Sequence, residues 1–172
     1  MSKYLQGIAL LVILGVLLGA VSCAPSVPAP LEALAGSFSA QVGGEMNGVE
    51  FYADMEILRE GETTQIRLIY RSPVALEGLT LEQTGGKDAP VTVRLGELAL
   101  EVSAAAVAGW MRPARVLLDL QEQDLQSAER TGEDSYRFVF SGDQTLTVTA
   151  QGLPLAYESP SLTFSILRFQ NK

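Results

Sequence analysis

The chain has 172 residues, with 12 basic side chains against 20 acidic ones, no histidine, and a single cysteine at position 23. Without histidine or a second thiol, Ser-His-Asp and Cys-His catalysis and His/Cys zinc or copper sites are excluded. What remains is carboxylate chemistry, serine-lysine pairs or oxygen-ligated metals. A net charge of −8 argues against nucleic acid and against adsorption to lipid headgroups through basic patches, because both surfaces are anionic.

The N-terminus has a charged start (Met1-Ser2-Lys3), an apolar run from Ile8 to Leu18 and a small-residue end at Gly19-Ala20-Val21-Ser22. That is the layout of an export signal, and the run falls short of the about twenty apolar residues a spanning helix needs. Ala20-Val21-Ser22-Cys23 resembles the lipobox of bacterial lipoproteins, with alanine where leucine is usual. The resemblance implies that Cys23 receives a diacylglyceryl group before cleavage. Two or more acyl chains, at about 0.8 kcal/mol per buried CH₂, anchor a protein stably. The expected organisation is a signal peptide over 1–22, a lipidated cysteine with a Pro/Ala tether over 23–33, and one domain over 34–172. Pro25, Pro28 and Pro30 favour an extended, semi-rigid tether.

Beyond the tether the chain reads as strands. Phe38, Ala40 and Val42 share a face, and Val49–Ile57 alternates apolar against mostly acidic residues. After a turn at Gly61 comes Gln65–Arg71, closed by Ser72-Pro73, since proline cannot donate to a ladder. Leu79–Gln83, a hairpin tip at Gly85-Gly86-Lys87-Asp88, and Val91–Leu95 and Leu98–Val102 around Gly96 follow. Residues 104–123 change period and predict one broken or two short helices, with Pro113 in a first turn and Val116, Leu117 and Leu120 on one face. Strands resume near Leu125 and continue through Tyr136–Phe140, Thr145–Thr149 and, after the break at Gly152-Leu153-Pro154, Leu162–Phe169. The expected fold is mainly β: a strongly curved antiparallel sheet of about nine or ten strands, an incomplete barrel, with the helical insertion packed in its concave face.

Phe38-Ser39-Ala40, the acidic second strand, Arg71-Ser72-Pro73, Leu76-Glu77-Gly78-Leu79 and the late Gly152-Leu153-Pro154 together resemble the LolA/LolB family of lipoprotein carriers. They also resemble the mycobacterial lipid-carrying lipoproteins and the LolA-like lipoproteins of Firmicutes. The resemblance implies a cavity for a hydrophobic ligand and carries no catalytic set.

Candidates to line such a cavity are Phe38, Phe51, Met55, Leu68, Tyr70, Leu98, Leu100, Trp110, Met111, Leu117, Phe138 and Phe140. Aromatic and methionine side chains offer large, adaptable contact area there, and each fits an ordinary packed core as well. Trp110-Met111, next to Gly109, suits a lid between helical segments. Glu133-Asp134 and Asp143 fall on turns without the spacing of a calcium loop. Gly85-Gly86-Lys87-Asp88 lacks the rest of a phosphate loop. Ser37, Ser72 and Ser141 have no lysine at a useful interval. No cofactor, metal or catalytic residue is expected. The expected function is non-enzymatic: a lipoprotein anchored through Cys23 on the extracytoplasmic face, in the cell membrane or in an outer membrane if the host has one, binding or transferring a lipid or acyl chain. The alternative is an envelope or surface scaffold, in germination or envelope regulation for instance, acting through a protein partner.

Overall fold

A computed structural model describes residues 31–120 and 123–172. Cys23 and the tether through Pro30 lie outside them. A one-turn helix α1 (Glu32–Ala35) buries Leu34 and is followed by β1 (Phe38–Met46), β2 (Val49–Glu60), β3 (Thr63–Ser72), β4 (Thr80–Thr84), β5 (Val91–Leu95) and β6 (Leu98–Val102). A 3-10 turn (Ala104–Val107) leads into α2 (Ala108–Asp119). Then come β7 (Leu125–Arg130), β8 (Ser135–Phe140), β9 (Gln144–Thr149), β10 (Pro154–Ser159) and β11 (Leu162–Asn171).

All eleven strands form one antiparallel sheet in the order β6-β5-β4-β3-β2-β1-β11-β10-β9-β8-β7. Two meanders are therefore joined in the middle by the pairing of β1 with β11. Its two edges, β6 and β7, do not pair, so the barrel stays open. The segment linking those edges contains α2, which must cross from one side of the sheet to the other. It crosses the inner face, because Met111, Ala114, Val116, Leu117 and Leu120 are buried in the same core as the inward side chains of the strands.

The alternation of apolar and polar residues decides which face is inner. In β2, Phe51, Ala53, Met55 and Ile57 are buried, while Tyr52, Asp54 and Glu56 between them point outward. Outward carboxylates are laced to arginines across strands: Asp54 to Arg71 at 2.7 Å, and Glu82 to both Arg67 (3.3 Å) and Arg94 (3.2 Å). The curled open sheet with a helix in its hollow is the expected architecture.

Three details differ from the sequence reading. Pro113 lies well inside α2 instead of in its first turn. The N–H it lacks would have bonded the carbonyl of Gly109, which sits in the exposed first turn, so the helix continues past it. Pro154–Ser159, which follows directly on the expected break at Gly152-Leu153-Pro154, is a strand whose pairing with β9 slips between Pro154 and Ala156, and that bulge hides its alternation. Leu98 and Leu100, grouped with the buried inner face, lie on that face but are 72% and 66% exposed. Nothing in β6's own sequence says whether a covering element reaches it.

Candidate functional site

Strand register assembles the inner face into rows. Directly opposed residues share a face, and one row runs Phe169–Ala40–Met55–Leu68–Leu81–Val93–Leu100 across seven strands. Ala40, Met55, Leu68 and Leu81 are buried, Val93 is half-buried and Leu100 is open. The neighbouring pair Leu95–Leu98 is open too, with Leu95 48% exposed. The apolar lining thus emerges from the core at the β5–β6 edge as three uncovered leucines on the concave side. Covering a leucine fully is worth about 1.5–3 kcal/mol, so three partly exposed ones leave several kcal/mol available to an apolar occupant.

A second row runs Phe138–Leu146–Tyr157–Phe164–Gly44–Phe51. Its rings form a chain leading to α2. Tyr157 stacks on Phe164 (5.3 Å between centroids), Phe164 meets Phe51 edge-on (6.5 Å), Phe51 meets Tyr70 (6.2 Å) and Tyr70 meets Trp110 (5.7 Å). Phe51 and Phe164 belong to strands on either side of β1, whose backbones stand about 10 Å apart. They meet because Gly44, between them, has no side chain.

The other candidates fall as follows. Phe38, Phe51, Met55, Leu68, Tyr70, Met111, Leu117, Phe138 and Phe140 come together in one buried cluster, with Trp110 half-buried against it. Phe38 also stacks on Phe169 at 5.2 Å. Cys23 lies outside the described residues. Glu133, Asp134 and Asp143 occupy turns. Arg130 bonds the carbonyls of Gly132 and Glu133, the Asp134 carbonyl accepts from the Ala150 N–H at 2.8 Å, and Asp143 has φ 56°. Among the described residues no cluster of three or more His, Cys, Asp or Glu side chains forms.

Helix α2 is fastened at its N-terminal end by the Tyr70 hydroxyl, which donates to the Trp110 carbonyl at 2.6 Å. Burial pushes the Tyr70 phenol well above the ordinary tyrosine range, so it stays a donor. Burial also pushes up Tyr157, whose hydroxyl donates to Gln144 at 2.9 Å. A second fastening joins α2 to the β4–β5 hairpin. The Arg115 guanidinium donates to the Gln83 side chain and to the Lys87 carbonyl (3.2 Å), while Gln83 donates to the Ala89 carbonyl (2.5 Å) and the Lys87 carbonyl (3.2 Å). Gln83 is a buried polar residue on the inner face. Its role was invisible in the sequence, because Arg115, the helix residue it anchors, lies 32 residues further along the chain.

Beside this second fastening is a cavity of about 350 Å³ between α2, the 3-10 turn and the hairpin tip, whose lining includes Lys87, Arg112 and Arg115. A groove of about 340 Å³ lies on the outer face over β1, β2, β3 and β11, with Gln41, Asp54, Glu56, Arg67 and Arg168 among its walls. Its carboxylates are already engaged, Asp54 by Arg71 and Gln41, and Glu56 by Lys172.

No protein-family model and no curated protein sequence matches the chain. Among solved structures, an uncharacterized conserved protein from Thermus thermophilus shares the fold. The match has 15% identity, covers 83% of each chain and gives a TM-score of 0.54. A domain assigned to outer membrane lipoprotein sorting from Vibrio parahaemolyticus aligns more loosely, at 8% identity, 80% and 86% coverage and a TM-score of 0.46. The LolA superfamily protein NE2245 from Nitrosomonas europaea aligns at 9% identity, 87% and 90% coverage and a TM-score of 0.37. The Thermus likeness is one of fold. Among the described residues no helix is long and apolar enough to cross a membrane.

Proposed function

We propose that the protein is a lipoprotein, held through Cys23 on the extracytoplasmic face of a membrane, that shelters an acyl chain of a lipid or of another lipoprotein in the hollow of its sheet. The observation that carries this reading is the apolar row crossing seven strands and ending in the uncovered Leu100, beside the uncovered pair Leu95 and Leu98. The hydrophobic effect supplies the affinity, since an acyl chain laid along those leucines leaves water together with them. Helix α2, with its two polar fastenings, is the element whose displacement lengthens the groove toward Met55 and Leu68. The LolA/LolB resemblance and the two lipoprotein-related neighbours agree with a carrier.

The edge strand β6 favours a second reading, a protein partner that adds a strand. Its sequence, Leu98-Ala99-Leu100-Glu101-Val102, lacks the lysine or proline that usually guards an edge. A fluorescent fatty-acid probe separates the two readings. The full chain is expected to bind it saturably, and Leu98→Ser with Leu100→Ser to weaken binding about tenfold. Stability should stay nearly unchanged, because exposed substitutions cost within about 0.5 kcal/mol. Absence of saturable binding by the unaltered chain would defeat the carrier reading and leave the scaffold.

A further inference from the structure

The cations around α2 differ from the ion-paired ones on the outer face. On the outer face Arg67, Arg71, Arg94, Arg137 and Lys172 each pair with a carboxylate. Lys87, Arg112 and Arg115 instead converge on the 350 Å³ cavity beside the hairpin tip. Among the described residues Lys87 and Arg112 have no carboxylate within ion-pair distance, and Arg115 spends its bonds on Gln83 and a backbone carbonyl. Burial lowers the Arg115 pKa, against the carboxylates of Asp119 and Asp88. Both acids line the cavity too, so among the described residues its walls carry three cations against two carboxylates.

Apolar groups, Ala108 and Met111 among them, complete the lining. The chain enters this region directly from β6, the strand that carries Leu98 and Leu100. A cationic wall beside an apolar floor, next to uncovered leucines, is complementary to an amphiphile with a negative head. We propose that this cavity receives the head of the bound amphiphile, and that the head is a monoanion of the phosphodiester class, as in phosphatidylglycerol. The inference rests on the carrier reading and adds head selectivity to it. A single net positive charge suits a monoanion better than a doubly charged phosphate monoester. The acidity of the whole chain opposes docking on an anionic surface, but a head inside the cavity meets the nearby guanidinium groups first, since distant charges are screened beyond about 8–10 Å.

The test is calorimetric titration of the full chain with two soluble short-chain lipids of identical tails, dihexanoyl phosphatidylglycerol and dihexanoyl phosphatidylcholine, and with inorganic phosphate. The expected result is at least tenfold tighter binding of the glycerol lipid, and weak or no binding of phosphate alone. In the Lys87→Gln, Arg112→Gln variant that preference should vanish while the choline lipid binds as before. Equal affinity for both lipids, or a preference that survives the two substitutions, overturns the head site and leaves the carrier reading standing. Phosphate bound as tightly as the glycerol lipid makes the cavity a site for a free anion and overturns the lipid assignment. Failure of both lipids to bind removes the carrier reading and this inference with it.

Discussion

Replacing Gly44 by valine should destabilise the domain by about 3 kcal/mol or more, at the top of the range for overpacking a core. A Cβ at this position would overlap the Thr163 carbonyl oxygen and stand 2.5 Å from the Phe164 Cα. Both are backbone atoms of β11, so no side-chain rotation relieves the contact. The pairing of β1 with β11, which joins the two meanders, must open instead. Gly43 next to it is the control. There the nearest atoms to an added Cβ are side-chain carbons, Tyr52 Cδ2 at 3.5 Å and Leu167 Cδ1 at 3.6 Å, in ordinary contact. Gly43→Ala should therefore move the urea midpoint little, and Gly44→Val should lower it sharply or prevent folding. Equal midpoints for the two variants would mean that β1 and β11 do not pack as described.

Phe51→Ala should have a comparable effect, costing about 3–5 kcal/mol as buried phenylalanine truncations do. Phe51 is 3% exposed and is the middle ring of the chain Tyr157–Phe164–Phe51–Tyr70–Trp110. Its loss opens a cavity over Gly44, where no side chain can move in. For a domain of this size the melting temperature should fall by about 10 °C, at 2–4 °C per kcal/mol. Phe51→Leu keeps most of the volume and should cost less than about 1.5 kcal/mol. Thermal melts of the two variants check the difference. Near-identical melting temperatures would show that the ring chain contributes no packing of its own.

The strands were legible in the sequence wherever one face is wet and the other dry. Phe51, Met55 and Ile57 alternate with Tyr52, Asp54 and Glu56, and their burial follows that alternation. β10 was missed because it opens on a proline and slips register against β9, so its period is broken where it would be read. Alternation gave the correct face for Leu98 and Leu100 but could not give their exposure, which depends on how far α2 reaches toward β6. Pro113 obeys a local rule for helix starts that the longer helix overrides.

The candidate site was less legible than the fold. Arg112 and Arg115 sit one turn apart on α2, but Lys87 is far from them along the chain and meets them only because the edge-to-edge connection lays α2 against the β4–β5 hairpin. Gly44, on which the aromatic chain depends, is one of 16 glycines. Nothing local distinguishes it from Gly43, since its requirement comes from β11 far along the chain.

The central claim is that the concave face holds an acyl chain. Native mass spectrometry of the full chain, purified from membranes in mild detergent, tests it most directly, because a sheltered amphiphile survives as added mass and can be extracted and identified. A bound amphiphile that is recovered with the unaltered chain and lost in the Leu98→Ser, Leu100→Ser variant is the expected result. A chain that flies free of lipid in repeated preparations, or one whose bound lipid is indifferent to those two leucines, contradicts it.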